Sequence, residues 1–413
     1  MQGVDLDPLG RATGLTVAEF ADRHWARRPL LRRAADLPGD GFADLLDLAA
    51  VDELVSRRGL RTPFLRMARE GDVLAARRFT RGGGAGADIA DQAADDKVLA
   101  EFGAGATLVL QGLHRMWPPM VEFASAFSAQ LGHPVQVNAY ITPAQNQGFA
   151  PHYDVHDVFV LQFAGRKHWT IHEPVLEAPL RDQPWDDRKA EVAAGAAGTP
   201  VIDTVLEPGD ALYLPRGYLH AAKALGEVSG HLTVGVHPVT RALLAQQVLA
   251  TLGDDLELRR SLPMGVDLAD PEVLEAELKA TREALHAAID RLDPAVVATA
   301  VGEHLTRSTR PAPLAPLSQL AAADTLTAET AVVRRPGLRC TRQRSPDGSV
   351  LRLIDRTVTL PATTDPAVER LLSGRPAPAG ELPGLDAADA LTLTRRLLRE
   401  GVVVPVGHGA EPA

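Results

Sequence analysis

The chain has 413 residues, more than one hydrophobic core usually contains, so its length predicts about two or three domains. Its hydrophobic fraction of 45% and charged fraction of 23% are typical of a globular protein, and no apolar run is long enough to cross a membrane. The net charge of −10 argues against a nucleic-acid-binding protein and favours a basic protein partner. A single cysteine, Cys340, excludes a disulfide framework, and the N-terminus lacks a signal-peptide pattern, so we expect a cytoplasmic protein.

Helices and irregular connections are predicted for the first quarter of the chain. The segment Phe20–Trp25 has an amphipathic helical pattern, which Pro29 would end. Residues 118–131 place apolar side chains at helical spacing, and Gly132 suits the end of a helix. A helix over 118–131 is therefore the clearest helical prediction in this part of the sequence.

Strand-like runs dominate the middle of the chain, where the helical spacing is lost. They are short, and Gly, Pro and Asp turns separate them: Val135–Thr142, Asp157–Phe163, His168–His172, Ala211–Pro215 and His231–His237. No helical crossover is predicted between these runs. Several strands without such crossovers favour an antiparallel sandwich or barrel.

The helical spacing of apolar residues returns after Pro238. It covers two stretches, near 243–252 and near 273–289, which have no strands to cover and would pack on each other or on a second subunit. The proline-rich stretch 310–316 is typical of a linker. The remainder predicts a small α/β unit. Its strands lie near 330–335, 350–354 and 402–406, and its helices near 365–373 and 386–400.

Two histidines and one aspartate are candidate metal ligands. His152 and Asp154 are two positions apart where a strand would begin, so their side chains would point to the same face. His220 follows a Pro-Arg-Gly bend, after which another strand would begin. Two imidazoles and one carboxylate on one face form the facial triad of non-haem iron(II) oxygenases, which leaves positions open for cosubstrate and oxygen. The sequence therefore predicts an iron(II) oxygenase.

Other histidines compete with this assignment. A His-x-Asp pair alone is more often a surface histidine beside a turn-forming aspartate, and the distal His220 makes the metal site the better interpretation. His156 would share the face of His152 and Asp154 and could join a three-histidine site. The glutamate that such a site usually adds does not follow it, so we expect His156 to line the cleft or face solvent. The other central histidines are expected to be structural: His168, His172, His231 and His237.

The central segment resembles the JmjC ribosomal oxygenases, which are 2-oxoglutarate-dependent protein hydroxylases of the cupin superfamily. Four stretches carry the resemblance in order and in spacing: Asn138–Pro143, Pro151–Asp154, Phe159–Gln162 and Gly165–Trp169. The resemblance is densest over 105–240 and extends loosely to the whole chain. It implies a mixed α and β protein built on a double-stranded β-helix, the JmjC or cupin barrel.

The resemblance also implies how the chain is divided. A barrel with a helical N-terminal extension would occupy residues 1–239, a helical dimerisation region 240–307 and a winged-helix-like domain 308–413. The implied partners are a second copy of the chain, in a homodimer, and a protein substrate, with a large-subunit ribosomal protein expected. We expect no membrane association and no direct DNA binding.

Individual residues receive roles from the same resemblance. His152, Asp154 and His220 would hold Fe(II) and form the catalytic centre. Lys167 would bind the distal carboxylate of 2-oxoglutarate. Three residues would add to the cosubstrate pocket: Asn138, Tyr140 and Ser229. With Fe(II), 2-oxoglutarate and O2, such a site would hydroxylate an arginine or histidine side chain.

Lys167 is also singled out by its chemistry. Lysine is scarce in this chain, and Lys167 follows an apolar run and a glycine turn. A dicarboxylate buried in a barrel needs a cation, because an unpaired charge there is costly. Composition alone would favour a solvated turn lysine instead. Arg166 is the alternative cation, but two neighbours on a strand face opposite ways.

Three functions remain open from the sequence. The first is a 2-oxoglutarate-dependent hydroxylase of a ribosomal or other basic protein. The second is an oxygenase of the same fold that acts on a small molecule, such as an amino acid or a peptide natural product. The third is a non-enzymatic module whose C-terminal domain binds a partner. The complete set of metal and cosubstrate positions argues against the third, and the helix predicted at Asp386–Glu400 has balanced charges rather than the basic surface of a DNA-recognition helix.

Substrate contacts are expected from two loops. These are Thr142–Gly148, which precedes His152, and Glu173–Gly198, which follows Lys167. The second loop is acidic early on, at Asp182, Asp186 and Asp187, which would suit a basic polypeptide but is equally compatible with an ordinary solvated loop.

Overall fold

The computed structural model describes residues 7–69, 71–144, 150–345 and 348–407. The chain divides into two compact units, Met1–Pro238 and Val239–Ala413. Among the described residues, no helix combines the length and the apolar composition needed to span a membrane. Of the two loops proposed for substrate contacts, Thr142–Gly148 lies largely outside the described residues.

The first unit contains six α-helices and thirteen strands among its described residues. The helices are α1 Pro8–Thr13, α2 Val17–Arg23, α3 Leu48–Arg57, α4 Asp95–Gly103, α5 Pro118–Leu131 and α6 Lys189–Ala196. The strands are β1 Leu30–Arg32, β2 Leu65–Arg69, β3 Asp72–Val73, β4 Thr80–Arg81, β5 Gln92–Ala93, β6 Thr107–Leu110, β7 Val135–Thr142, β8 Asp157–Ala164, β9 Lys167–His172, β10 Ile202–Leu206, β11 Ala211–Leu214, β12 Leu219–Ala224 and β13 Ser229–Val236. The helix predicted over 118–131 and the strand predicted at Val135–Thr142 have these same bounds.

Two antiparallel sheets form the barrel. The larger has the strand order β1-β11-β8-β13-β7-β6-β2-β3, and the smaller has the order β10-β9-β12. All neighbouring strands in both sheets run antiparallel. The non-sequential order is that of a double-stranded β-helix, so the fold predicted from the sequence is confirmed. The strand predicted to begin near His220 is β12, whereas β1, β2, β3, β6 and β10 of these sheets were not predicted, because their short runs lack a clear apolar alternation.

Strand β8 contributes side chains to two hydrophobic clusters, one on each of its faces. Its apolar run alternates between two faces, because successive side chains of a strand point to opposite sides. Phe159 and Leu161 join a cluster with α2 and α5, where Phe20 and Phe127 are almost fully buried. Val158 and Val160 join a second cluster, with Trp169 of the small sheet. Each fully buried Phe or Leu side chain contributes about 1.5–3 kcal/mol, so β8 holds the helices on one side and the barrel interior on the other.

The second unit contains six helices and six strands among its described residues. The helices are α7 Arg241–Thr251, α8 Pro271–Asp290, α9 Pro294–Ser308, α10 Pro316–Asp324, α11 Asp365–Leu372 and α12 Ala387–Arg399. The strands are β14 Ala331–Arg334, β15 Thr341–Ser345, β16 Gly348–Arg352, β17 Thr357–Pro361, β18 Ala377–Pro378 and β19 Val403–Pro405, in two small sheets of order β18-β14-β19 and β15-β16-β17. The helices and strands predicted between 330 and 406 are present within a few residues. Helices α9 and α10 and strands β15, β17 and β18 were not predicted.

Helix α12 anchors the core of this unit. Its buried residues recur at helical spacing: Ala390, Leu393, Thr394, Leu397 and Leu398. Asp386 caps its N-terminus by accepting a hydrogen bond from the backbone N–H of Asp389. The amide nitrogen of Gln319 in α10 donates to the backbone carbonyls of Leu398 and Val403, at 2.9 and 2.7 Å. These bonds tie α10, α12 and β19 together.

Candidate metal centre

His152, Asp154 and His220 meet at one end of the barrel. One potential ligand atom from each lies within 4.8 Å of the others. His152 and Asp154 precede β8, and His220 is the second residue of β12. The prediction that His152 and Asp154 begin a strand is wrong, because β8 begins only at Asp157. Their placement comes instead from an isolated bridge, in which the backbone N–H of each of His152 and His220 donates to the carbonyl of the other, at 3.2 and 2.9 Å.

Backbone carbonyls orient both imidazoles. The Nδ1 of His152 hydrogen-bonds the carbonyl of Ala150 at 2.8 Å, and the Nδ1 of His220 hydrogen-bonds the carbonyl of Tyr218 at 3.1 Å. Each bond places the proton on Nδ1, so Nε2 is the ring nitrogen that can serve as a metal ligand. The Nε2 of His220 lies 3.7 Å from an oxygen of Asp154. Two imidazole nitrogens and one carboxylate oxygen thus converge in the protonation states that a cation requires.

The electrostatics of these side chains agree with that arrangement. Burial, together with the neighbouring His152, lowers the pKa of His220 to about 4, so the imidazole is neutral at physiological pH. Burial raises the pKa of Asp154, but the nearby imidazoles of His156, His220 and His152 outweigh it, and the net pKa is below the usual value. The carboxylate is therefore ionised and the histidine neutral.

The bend before His220 is held by a buried carboxylate. The backbone N–H of Arg216 and the hydroxyl of Tyr213 donate to Asp157, at 3.0 and 2.8 Å. Gly217 follows with φ +94°, and its N–H donates to the carbonyl of Asp154 at 3.0 Å. A Cβ at this glycine would lie 2.6 Å from the carbonyl oxygen of Leu176. This bend therefore fixes the approach of His220 to Asp154.

A cavity inside the barrel contains all three candidate ligands and Lys167. It is lined by Thr107, Tyr140, Thr142, His152, Asp154, Val158, Val160, Lys167, Trp169, His220, Ala221, Ala222, His231 and Thr233. On β7, β8, β9 and β13 the lining residues occupy alternate positions, which point to the same face of the strand. The cavity therefore combines a candidate cation site with a buried ammonium group.

Lys167 is 2% exposed, although it is the first residue of β9. Its ammonium nitrogen donates to the Thr142 hydroxyl at 3.0 Å and lies 3.3 Å from Nδ1 of His231. Within the described part of the chain, no carboxylate forms an ion pair with it, and burial lowers its pKa to about 7. Arg166, the alternative cation, points to the surface and pairs with Glu227 at 3.3 Å. No carboxylate of the described residues therefore pairs with the ammonium of Lys167.

Only one of the three other residues predicted for the cosubstrate pocket lines this cavity. Tyr140 does so, with its ring stacked on His231 at a centroid distance of 5.2 Å. Asn138 is not among the lining residues, and its side-chain oxygen accepts from the backbone N–H of Gly112 at 3.1 Å. Ser229 is fully buried, and its hydroxyl accepts from the side-chain amide of Gln162 at 2.9 Å. Asn138 and Ser229 thus hold neighbouring parts of the sheet.

Sequence reasoning missed Thr142 and His231. His231 was expected to be structural, yet it lies in the cavity against Lys167. Strand period offered a signal for Thr142, because Tyr140 and Thr142 share one face of β7. His156 is not in the group of converging ligand atoms, and its ring stacks on His237 at a centroid distance of 5.1 Å.

The comparisons with known proteins agree with this site. The JmjC domain matches residues 117–244, a range that contains all three converging side chains and Lys167. Residues 117–244 therefore form a JmjC domain. The resemblance to ribosomal oxygenases expected from the sequence is therefore confirmed.

Several ribosomal oxygenases are similar to this JmjC-domain chain. Ribosomal oxygenase 1 of Gallus gallus is 30% identical over 290 residues, which are 66% of this chain and 45% of that protein. Ribosomal oxygenase 1 of Homo sapiens is 31% identical over 254 residues, 59% of this chain and 37% of that protein. The chain thus spans less than half the length of these relatives. The ribosomal oxygenase YcfD of Escherichia coli, in complex with cobalt and 2-oxoglutarate, has the same fold, with a TM-score of 0.53 at 19% identity over 96% of this chain and 99% of YcfD.

Proposed function

We propose that this protein is an Fe(II)- and 2-oxoglutarate-dependent oxygenase that hydroxylates an arginine or histidine side chain of a protein, with a large-subunit ribosomal protein as the substrate. One observation carries the proposal. A His-Asp-His group and a buried lysine without an anionic partner lie in the same barrel cavity. The first suits a metal, and the second suits a dicarboxylate.

The donor set fits iron(II). His152, Asp154 and His220 would supply two neutral nitrogens and one anionic oxygen, the ligand set of non-haem iron(II) oxygenases. Carbonyl hydrogen bonds already orient the imidazoles of His152 and His220, so neither would have to reorganise when the metal binds. The chain offers no thiolate here, because its single cysteine is Cys340. A soft thiolate site is therefore not an alternative at this place.

The rest of the cavity fits 2-oxoglutarate. Lys167 would pair with the distal carboxylate, which would relieve the cost of a buried ammonium without a counter-ion. The Thr142 hydroxyl already accepts a hydrogen bond from Lys167 and can donate its own hydrogen bond to the same carboxylate. Bound Fe(II), 2-oxoglutarate and O2 would together supply the oxidising chemistry, with succinate, CO2 and one hydroxylated carbon as products. The protein would position the reactants, and Trp169 and Val160 would exclude water.

The proposed substrate class is supported by the names of the relatives and by charge. Two relatives bear the name ribosomal oxygenase 1, and a relative from Culex quinquefasciatus, 31% identical over 60% of this chain, is named a bifunctional lysine-specific demethylase and histidyl-hydroxylase. The segment Glu173–Gly198, predicted as a loop, follows β9, contains helix α6 and exposes Asp182 and Asp187. These carboxylates suit a basic polypeptide such as a ribosomal protein.

Mass spectrometry of intact ribosomal proteins tests this function. Large-subunit proteins are incubated with the enzyme, Fe(II) and 2-oxoglutarate, and one protein is expected to gain a single oxygen atom while succinate is released. His152→Ala should abolish both signals, because it removes a ligand. His168→Ala is the matched control, since His168 pairs with Asp203 at the surface. Unchanged succinate release by His152→Ala would refute the metal assignment, and succinate release with a free amino acid alone would favour a small-molecule substrate.

We further propose three parts, with a barrel over 1–239, a dimerisation region over 240–307 and a winged-helix-like domain over 308–413, in a cytoplasmic homodimer. Exposed leucines on α7 and α8 support the dimer: Leu244, Leu249, Leu274 and Leu278. The arginines of α12 are occupied within the unit. Arg395 donates to the carbonyl of Ala323, Arg399 pairs with Asp324, and Arg396 pairs with Glu400. A role in protein contacts is therefore proposed for the last domain, rather than DNA binding.

A further inference from the structure

A long groove crosses the outside of the first unit, apart from the metal centre. Helices α3 and α4 form its walls, and apolar residues form its floor, among them Val98, Phe102, Leu108 and Ile141. Its volume is about 570 Å³, within the range of about 300–1,000 Å³ that is usual for ligand-binding clefts. Ile141 is on β7, next to Thr142. Neighbours on a strand face opposite ways, so the groove and the cavity lie on opposite faces of the same sheet.

The rim of the groove is apolar and acidic at once. Leu99 of α4 is 72% exposed at this rim. Three aspartates line the groove, Asp52, Asp95 and Asp96, and none of the described residues that line it is basic. Asp96 pairs with Arg81, whereas Asp52 and Asp95 form no ion pair with a described residue. An exposed leucine beside carboxylates that lack counter-ions calls for a partner that is both apolar and cationic.

We propose that this groove docks a basic, amphipathic helical segment of the protein substrate. The inference rests on the proposed function, because it takes the substrate to be a basic polypeptide. Helices α3 and α4 have 10 and 9 residues, so the groove is about 15 Å long. That length accommodates about three helical turns, whose apolar side chains at positions i, i+3 or i+4, and i+7 would enter the groove. Lysines or arginines on the flanks would meet Asp52 and Asp95.

A second copy of this chain fits the groove less well. Each chain has a net charge of −10, and the groove itself contributes carboxylates without a basic residue among its described lining. Docking an acidic chain there would bring like charges together and would oppose association. A basic segment would instead bring opposite charges together and favour association. The groove therefore acts as a docking site remote from the metal, which raises the affinity for the whole protein substrate and leaves cosubstrate binding unchanged.

A binding measurement tests the groove without relying on activity. The probe is a fluorescein-labelled amphipathic peptide of leucine and lysine, and its anisotropy is measured with the full-length protein. The double variant Asp52→Lys, Asp95→Lys and the single variant Leu99→Ser should each weaken binding by about tenfold or more. Asp22→Lys with Glu207→Lys is the control, because it makes the same charge change at exposed residues outside the groove. Binding that weakens equally in the control, or a leucine–glutamate peptide that binds as tightly, would overturn the proposal.

A second measurement connects the groove to the proposed reaction. The same variants are assayed for oxygen addition to large-subunit ribosomal proteins at substrate concentrations below KM. The groove variants should lose about tenfold in kcat/KM for the protein substrate, with the KM for 2-oxoglutarate unchanged. Hydroxylation at the control rate would contradict the docking role. If no ribosomal protein gains oxygen with the unmodified enzyme, the proposed function fails, and the peptide measurement still decides the groove.

Discussion

Lys167 is the residue in which burial, charge and chemistry are most closely linked. It is 2% exposed, its described neighbours Thr142 and His231 are neutral, and burial lowers its pKa to about 7. A lysine in this position weakens the fold unless an anion compensates its charge. The lowered pKa of Lys167 is typical of a binding residue, because perturbed pKa values concentrate at functional sites.

Replacing Lys167 tests this role. Lys167→Met should raise the KM for 2-oxoglutarate by a factor of about 30 or more, since truncating one partner of a buried charge pair costs about 2 kcal/mol or more. Metal affinity, measured by titration with Co(II), should change little. Arg166→Met is the matched control, because Arg166 is exposed and pairs with Glu227. A larger effect on metal affinity than on KM would move the cosubstrate away from Lys167.

The lowered pKa of Lys167 predicts how the KM for 2-oxoglutarate depends on pH. Below about pH 7 the free ammonium of Lys167 is protonated and attracts the dicarboxylate; above about pH 7 it loses its proton and that attraction. The KM for 2-oxoglutarate should therefore be steady below about pH 7 and rise toward about pH 9. Lys167→Arg should flatten the profile, because a guanidinium stays charged. A flat profile in the unmodified enzyme would contradict the assignment.

At the scale of elements, the site depends on how the turn before β12 meets the segment before β8. Asp157 accepts two hydrogen bonds, from Arg216 and Tyr213, and Gly217 donates to the carbonyl of Asp154. The connection before β8 thus carries His152 and Asp154, and the connection before β12 leads directly to His220, the second residue of that strand. Their positions depend on the bend at Gly217, because it joins both connections.

Gly217→Ala should disturb this bend. The backbone has φ +94°, and the new Cβ would lie 2.6 Å from the carbonyl oxygen of Leu176. We expect a loss of about 1–3 kcal/mol of folding stability and a lower metal affinity. Gly226→Ala is the control, because Gly226 also has a positive φ, +75°, but a Cβ there meets no atom within 4 Å. Thermal melting and Co(II) titration measure both effects. Equal destabilisation by the two variants would mean that the contact with Leu176 has no special role.

At the scale of the whole molecule, the exposed leucines of α8 bear on how the protein assembles. Helix α8 has only one fully buried residue, Ala288, and exposes Leu274 and Leu278 at 45% and 52%. A helix that presents leucines to solvent needs another surface to cover them. This supports the proposed homodimer through 240–307.

Light scattering tests the assembly. At micromolar concentration we expect twice the chain mass of 44.0 kDa. Leu274→Ser with Leu278→Ser should shift the protein toward the monomer, because it removes apolar area from the proposed interface. Leu317→Ser is the control, since Leu317 is 83% exposed but lies outside 240–307. A monomeric unmodified protein, or dissociation caused equally by the control, would refute this interface.

The sequence by itself determined the fold class and the residue types of the candidate site. The period of the central strands favoured an antiparallel sandwich or barrel, since periodicity is a local property of the chain, and the resemblance to the JmjC ribosomal oxygenases implied the double-stranded β-helix. Only the tertiary structure decided which side chains share the cavity. It brings Thr142 and His231 to Lys167, and it turns Asn138 and Ser229 to other partners. The physical reason is that strand order and register, which come from packing between distant segments, set these neighbours.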